Sequence, residues 1–250
     1  MIKTLFLDLH GVLADPNLVY QNYTEMLAEI LAPTGISYCE AEKIHQQAFD
    51  YWLIEFENVA KATRSANVEG YFVAKAREMD EKYTEFILQN IPSSYKAMDE
   101  LRHQLSPESL EYHAARRKNT FYPDVEETLT YLYQNFEGRI ICASDAHSRH
   151  VRGCLEAGNA IDYFDEIIGY DVVQCHKLTP KNSYVQKVIK ITNSNPQTCI
   201  FVDNSVKTLQ DALKLGMKVI LMNRDKKQIE NGNIRTTIFD FSQLSCFLLE

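Results

Sequence analysis

The stretch KTLFLDLHGVLAD, residues 3–15, decides the fold of this chain. A short apolar run leads into Asp8, which is followed by His10 and Gly11. The run does not alternate between apolar and polar residues, and this is typical of a strand that is buried on both faces of a parallel sheet. An acidic residue at the end of such a strand indicates either a turn or a functional site.

Other segments have the same continuous apolar character: RIICAS (139–144), CIFVDN (199–204), KVILMN (218–223) and a further candidate, DEIIGYDVV (165–173). Segments with helical periodicity lie between them: VEETLTYLYQNF (125–136), SYVQKVIKIT (183–192) and VKTLQDALKLGM (206–217). The last of these helices is predicted to end at Gly216, which suits a C-terminal cap. Alternating strands and helices predict an α/β fold with a doubly wound parallel sheet.

Residues 16–120 interrupt this alternation, because they contain one helical pattern after another. A helical block of this size directly after the first strand predicts a separate domain. We therefore expect an α/β core domain of residues 1–15 and 121–250, with an inserted all-helical cap domain of residues 16–120.

Two features of the predicted cap bear on ligand binding. The aromatic stretch AFDYWLIEF (48–56) is interpreted as packing between cap helices, with an aromatic substrate box as the alternative. Four basic residues are interpreted as a solvated face, with an anion clamp as the alternative: Lys61, Arg64, Lys75 and Arg77.

The composition is that of an ordinary globular protein, with 45% hydrophobic and 24% charged residues in 250. A formal net charge of -8 argues against nucleic acid or an anionic membrane as a partner, because both need a basic surface. No run approaches the roughly 20 apolar residues of a membrane span, and no secretion signal is evident. Six scattered cysteines without metal-binding spacing favour a reducing compartment. We expect a cytoplasmic monomer or homodimer.

Polar residues terminate the predicted strands where ligands of open α/β sheets bind, outside the carboxyl ends. The residues expected in this crevice are Asp8, Ser144 with Asp145, and Asp203 with Asn204, joined by Lys177 from the loop QCHKLTPKNSY. A carboxylate, a hydroxyl, an ammonium and a distal acid suit phosphate chemistry. Asp8 is the candidate nucleophile, and the candidate phosphate-binding residues are Ser144, Asp145 and Lys177.

With these residues in place, the sequence resembles the haloacid dehalogenase-like (HAD) superfamily with a helical C1-type cap. The first motif of that family, D-x-D-G-[TV]-L, corresponds to Asp8-Leu9-His10-Gly11-Val12-Leu13. The second, an apolar strand that ends in Ser or Thr, corresponds to IICAS, and the third, a lysine, to Lys177. The fourth corresponds to FVDNSVKTLQDALKLGM. The four motifs occur in the family's order over nearly the whole chain.

The resemblance implies a hydrolase that forms an aspartyl-phosphate at Asp8 on a small phosphorylated metabolite. It also implies a magnesium ion held by Asp8, the main-chain carbonyl of His10, Asp203 and Asn204. The sequence departs from the phosphatase pattern twice, since His10 replaces a second aspartate and Asn204 replaces an acidic metal ligand. An imidazole with an ordinary pKa near 6.5 can transfer protons, so His10 is the candidate acid and base. The magnesium site is expected to be weak.

Two other functions stay open at this point. Both departures are consistent with a catalytically degenerate module that senses a phosphate ligand or binds a protein. The resemblance also includes metal-independent 2-haloacid dehalogenases, which lack the second aspartate. Their fourth motif is usually rich in Ser and Asn with a later Asp, whereas this chain has Asp203 and Thr208.

Two assignments near the crevice have alternatives. Lys181 lies one helical turn from Lys177 and is a competing cation. In SDAHSRH, we expect His147 and His150 to lie on the exposed first turn after the second strand, with His147 facing the crevice as the alternative.

Overall fold

The structure, a computed structural model, describes residues 1–66, 71–177, 183–228 and 232–248. Within these residues, parallel strands form one six-stranded sheet: β1 (Thr4–Leu7), β2 (Arg139–Ala143), β3 (Glu166–Ile168), β4 (Cys199–Asp203), β5 (Lys218–Met222) and β6 (Thr237–Ile238). Their order in the sheet is β3-β2-β1-β4-β5-β6. The predicted α/β fold with a parallel sheet is therefore confirmed.

The continuous apolar run of β1 is explained by a hydrophobic core on each face of the sheet. Leu5 and Leu7 belong to one core, while Phe6 belongs to the other. The Phe6 ring stacks on Phe201 of β4, with 5.5 Å between the ring centroids. Each such side chain contributes roughly 1.5–3 kcal/mol when it leaves water, and a strand that is buried on both faces needs apolar residues at every position.

Helices cover both faces of the sheet and fill the connection between β1 and β2. The helices in that connection are α1 (Pro16–Leu31), α2 (Tyr38–Ala66), α3 (Tyr71–Gln89), α4 (Met98–Gln104) and α5 (Pro107–Arg116). The later helices are α6 (Val125–Asn135), α7 (Ser148–Ala157), α8 (Tyr170–Val173), α9 (Ser183–Ile191), α10 (Val206–Lys214) and α11 (Ser245–Leu248). No helix in the described ranges is long and apolar enough to cross a lipid bilayer.

The helices α1 to α5 form the helical block that was predicted for residues 16–120. α1, α2 and α3 share a core of their own, which includes Leu27, Ile44 and Ile87. α5 packs instead on the core helix α7, so closely that a Cβ atom on Gly153 would lie 2.7 Å from the Tyr112 carbonyl oxygen. The exact domain limits stay a prediction.

The two chain segments that join the core to the helical block run side by side. The Asp15 amide donates to the Thr120 carbonyl at 2.8 Å, and the Tyr122 amide donates to the Leu13 carbonyl at 3.0 Å. Because these two connecting segments are hydrogen-bonded to each other, the chain enters and leaves the helical block at the same place.

The segment 165–173 is not one strand as expected. Only Glu166–Ile168 pair with β2, and Tyr170–Val173 form α8, because the chain turns at Gly169 and Asp171 accepts a hydrogen bond from the Ser148 amide at 2.7 Å. The sequence patterns also miss α4 and the two-residue β6. The predicted end of α10 is confirmed, since Gly216 has a φ of +85°.

Candidate active site

The site lies where the strand order of the sheet reverses. From β1, the chain continues through β2 and β3 on one side, and later through β4, β5 and β6 on the other. Leu7 pairs with Cys142 and with Val202, so the carboxyl ends of β1, β2 and β4 lie next to each other. This is the position at which open α/β sheets bind ligands.

Lys177 joins the two acidic residues at these strand ends. Its Nζ atom lies 2.8 Å from Asp8 Oδ1 and 2.8 Å from Asp203 Oδ2, and the three side chains are 5% exposed or less. Asp8 Oδ1 also accepts a hydrogen bond from the Leu9 amide, and Asp203 Oδ1 accepts one from the Ser205 amide at 2.7 Å. The ammonium and Asp203 Oδ2 form an ion pair, but their geometry is not that of a hydrogen bond. The structure thus brings the predicted nucleophile, lysine and distal acid together.

The charges in this cluster shift each other's titration. Burial alone would lower the pKa of Lys177, but Asp203, Asp8 and Asp145 outweigh it and raise that pKa well above its ordinary value. Burial raises the pKa of Asp203 to about 7, with Lys177 acting against the shift. Burial opposes ionisation of Asp145, but Lys177 and His176 hold its pKa well below the usual range. Lys177 is therefore charged at neutral pH.

The residues after β2 form the wall next to this cluster. Asp145 Oδ2 lies 3.0 Å from His176 Nε2. Ser144 is fully buried, its Oγ accepts from the Ala146 amide at 3.3 Å, and its carbonyl accepts from the Tyr184 hydroxyl at 2.8 Å. The roles assigned to Ser144 and Asp145 stay predictions, but both residues lie at the predicted edge of the sheet.

Two residues of this wall escaped the sequence analysis. His176 precedes Lys177 in the chain. Tyr184 is the second residue of α9, and Lys177 Nζ lies 5.9 Å from the centre of its ring. The sequence signal for both was that they belong to the segment QCHKLTPKNSY, which carries Lys177. Lys181, the competing cation, lies outside the described residues.

A tight turn after β1 positions His10. The amides of Leu13 and Ala14 both donate to the Leu9 carbonyl, at 2.8 and 2.9 Å. Gly11 has a φ of +77°, and a Cβ atom there would lie 2.1 Å from Asn204 Nδ2. The turn therefore requires glycine at position 11 for two reasons: the backbone has a positive φ, and the Asn204 side chain leaves no space for a Cβ atom. The Asn204 side chain lies over this turn and is exposed.

His10 begins a chain of hydrogen-bonding groups that reaches the helical block. His10 Nε2 lies 3.0 Å from His150 Nε2, and His150 Nδ1 lies 3.1 Å from the Tyr23 hydroxyl of α1. The Tyr23 hydroxyl in turn donates to the Glu111 carbonyl at 3.5 Å. Burial lowers the pKa of His10 and of His150, while Asp8 acts against this shift at His10. Both rings are neutral at pH 7.

The expectation that His150 is exposed is wrong. Its side chain is buried, because the first turn of α7 faces α1 and the turn after β1. His147 caps α7 by accepting from the Arg149 amide at 3.3 Å, and it also lines the cavity described next.

A cavity of about 540 Å³ lies between the sheet edge and the helical block. His10, Asp145 and His176 line it from the core. The helical block contributes aromatic residues, among them Tyr20, Phe49, Trp52, Phe56 and Phe72. The interpretation of residues 48–56 as packing alone is therefore wrong. The described residues that line the cavity include no Lys or Arg.

The predicted solvated face is confirmed where it is described. Lys75 pairs with Glu78 at 2.6 Å, and Arg77, with 72% of its side chain exposed, lies 3.5 Å from Glu108. The side chains of Lys61 and Arg64 lie outside the described residues. Lys75 and Arg77 thus do not supply a cation to the cavity.

The predicted magnesium ligands are all oxygen donors, which this ion prefers. Asp8, Asp145 and Asp203 place three carboxylates around one ammonium, so a divalent cation fits the charge balance of the site. In the described part of the chain, however, no three His, Cys, Asp or Glu side chains form a group that could hold a metal ion. A magnesium ion would therefore need the His10 carbonyl or the Asn204 amide as well, and the ligand set stays a prediction.

Comparisons with solved structures support the fold. The chain is similar to L-2-haloacid dehalogenase from Xanthobacter autotrophicus, at 16% identity and a TM-score of 0.61, over 99% of this chain and 98% of that one. It is similar to the HAD-hydrolase YfnB from Bacillus subtilis bound to magnesium, at 15% identity and a TM-score of 0.64, with the same coverage. It is also similar to a HAD phosphatase from Thermococcus onnurineus, at 17% identity and a TM-score of 0.60, again with 99% and 98% covered.

The sequence comparisons identify the family. No curated protein sequence matches the chain. A family model described as haloacid dehalogenase-like hydrolase matches residues 2–216, which confirms the resemblance that the four motifs predicted. Since this match covers most of the chain, the protein is a hydrolase that belongs to the haloacid dehalogenase-like family.

Proposed function

We propose that the protein is a phosphohydrolase that acts on a small phosphate monoester through Asp8. The proposal is supported above all by the buried ammonium of Lys177, 2.8 Å from both Asp8 and Asp203. This ammonium orients the Asp8 carboxylate and places positive charge next to the transferring phosphoryl group. Phosphoryl transfer depends mainly on positioning and on charge neutralisation of this kind.

In the first step, an Asp8 carboxylate oxygen attacks phosphorus and the bond between phosphorus and the ester oxygen breaks. The leaving alkoxide takes a proton from His10, so an alcohol and an aspartyl-phosphate result. His10 must be charged for this step, and the bound phosphate dianion joins Asp8 and Asp145 in favouring the imidazolium. His10 Nε2–H can then donate to His150, which leaves Nδ1–H for the leaving oxygen.

In the second step, water attacks the phosphorus of the aspartyl-phosphate. His10, now neutral, accepts a proton from this water, and the bond between phosphorus and Asp8 breaks. Inorganic phosphate and the free carboxylate result, with His10 charged again. The same imidazole therefore acts first as an acid and then as a base.

Magnesium would be held by Asp8, Asp203, the His10 carbonyl and Asn204, and it would neutralise phosphoryl charge. Asn204 brings no negative charge to this set, so we expect weaker binding than with two acidic residues at the end of β4.

The test is phosphate release from a panel of aryl and alkyl phosphates, with magnesium and with a chelator. The natural protein should release phosphate with magnesium, and Asp8→Asn should abolish release. Asp162→Asn changes an exposed aspartate in the same way and should keep full activity. If the natural protein is inactive towards the whole panel, the proposal fails and a degenerate ligand-binding module is the better account.

Dehalogenation is a second outcome of the same test. A 2-haloacid carries a carboxylate of its own, and the described lining of the cavity contains no Lys or Arg to bind it. Chloride release from 2-chloropropionate without metal, in the absence of phosphatase activity, would replace our proposal with this one.

A further inference from the structure

We infer that the cavity binds an organic cation, so that the substrate is a phosphate ester whose organic part carries an amine or quaternary ammonium group. The inference rests on the proposed function, since it names the leaving group of the same site. It is based on the aromatic wall of the cavity and on two carboxylates in that wall, of which one has no cationic partner among the described residues and the other only a distant one.

The aromatic wall is continuous. Trp52 stacks on Phe56, with 5.1 Å between ring centroids, and lies parallel to Phe49 at 6.1 Å. Phe49 contacts Tyr20 edge to face at 5.3 Å, and Phe56 contacts Phe72 in the same way at 5.8 Å. Ring faces attract ammonium groups, and tryptophan does so most strongly.

Two carboxylates line the same cavity. Asp80 of α3 accepts a hydrogen bond from Trp52 Nε1 at 3.0 Å, and no Lys, Arg or His in the described ranges lies within ion-pair distance of it. Glu111 of α5 has only a distant cation, since Arg149 Nε lies 3.9 Å from its Oε2. A neutral apolar ligand would leave Asp80 without a cationic partner and Glu111 with only the distant Arg149.

The titration of these acids agrees with this geometry. Burial raises the pKa of Asp80 to about 6 and the pKa of Glu111 to about 8, and the charge of Asp80 adds to the shift of Glu111. A cation between the rings supplies positive charge near both acids, so it lowers both pKa values and favours the ionised carboxylates.

The cation site is connected to the catalytic edge of the sheet. The His176 ring lies 4.7 Å from the Phe72 ring and 5.0 Å from the Phe56 ring, and His176 also pairs with Asp145. A cavity of about 540 Å³ accommodates a small leaving group that spans from the phosphoryl site to the rings.

The experiment uses Trp52, the only tryptophan of the chain, as the probe. The emission of Trp52 is titrated with choline and with 3,3-dimethylbutan-1-ol, which has the same shape without the charge. Because neither compound carries phosphate, binding is measured independently of catalysis. We expect choline to bind more tightly by on the order of tenfold, from cation–π and carboxylate attraction together.

Asp80→Asn keeps the acceptor for Trp52 Nε1 and removes the charge, so it should reduce the preference for choline to less than about threefold. Glu111→Gln is the second variant and should reduce it as well. Asp99→Asn, on the exposed first turn of α4, should leave the preference unchanged.

Equal or tighter binding of the uncharged alcohol would overturn the inference, and so would a preference for choline that both cavity variants retain. A preference for choline without phosphate release from choline phosphate would keep the cation site and refute the proposed function. Phosphate release that depends on Asp8, but favours 3,3-dimethylbutyl phosphate over choline phosphate, would support the proposed function and refute the cation site.

Discussion

At the scale of single residues, the site depends most on Lys177. Replacing it by methionine leaves Asp8 and Asp203 as neighbouring buried carboxylates without a cation. We expect Lys177→Met to lower the free energy of unfolding by about 3–5 kcal/mol at pH 7 and to abolish phosphate release. Urea unfolding and phosphate assays measure the two effects.

The sign of the pH dependence tests this explanation. Burial already raises the pKa of Asp203, and removing the ammonium that opposes this shift should raise it further, so the loss of stability should shrink at pH 5, where this carboxyl binds a proton. Lys82→Met breaks an exposed ion pair with Glu55 and should cost less than about 1 kcal/mol at either pH. An equal loss for Lys177→Met at pH 5 and pH 7 would contradict the charge argument.

His10 gives a second prediction at this scale. As a general acid it should matter most for poor leaving groups, because these need a proton in the transition state. We expect His10→Asn to reduce kcat by about 10²–10⁴-fold with an alkyl phosphate and far less with 4-nitrophenyl phosphate. His113→Asn, an exposed histidine of α5, should change neither rate. The same loss with both esters would show that His10 does not protonate the leaving group.

At the scale of elements, the turn after β1 carries both His10 and the contact with Asn204. Gly11→Ala combines a positive φ with an overlap against the Asn204 amide. Gly35→Ala is the matched control, since Gly35 has a φ of +88° and open space around it. Gly35→Ala should cost about 1–2 kcal/mol of stability and keep activity.

Gly11→Ala should cost more stability than its control and reduce phosphate release on the order of 10²-fold, because His10 and Asn204 are displaced together. Denaturant unfolding and steady-state kinetics on the two variants separate backbone strain from displacement. Equal activity of both variants would mean that the geometry of this turn does not control catalysis.

At the scale of the whole molecule, buried acids between the helical block and the core domain make the free energy of unfolding depend on pH. Burial raises the pKa of Glu111 to about 8, above its ordinary value of 4.5, so the folded protein binds a proton that the unfolded chain releases. The stability from this group is present below pH 4.5 and is lost as pH rises through about 8. Asp80 acts in the same direction with a pKa of about 6.

Glu111→Gln should therefore flatten the fall in unfolding free energy between pH 5 and pH 8 by at least about 1 kcal/mol. Urea unfolding at the two pH values measures this difference. Glu126→Gln, on the exposed first turn of α6, should keep the slope of the natural protein. An unchanged slope in Glu111→Gln would show that this acid is ionised in the folded protein.

Much of the fold could be predicted because its causes are local. Strands that are buried on both faces need continuous apolar runs, and these runs located β1, β2, β4 and β5 to within two residues. Helical periodicity identified the block between β1 and β2. Helical periodicity missed α4, which has only seven residues, and the search for apolar runs missed β6, which has only two.

The sequence by itself determined that Asp8, Ser144 and Asp203 lie at the ends of apolar strands, because the apolar runs and the polar residues that follow them are properties of the chain. The sheet order that makes β2, β1 and β4 neighbours is a property of the tertiary structure. Only the tertiary structure decided that His10 meets His150 and that Phe49 and Trp52 face a cavity. Helical period tells which residues share a face but not what covers that face. The burial of an aromatic residue and the pairing of two distant histidines depend on how helices far apart in the chain pack against each other.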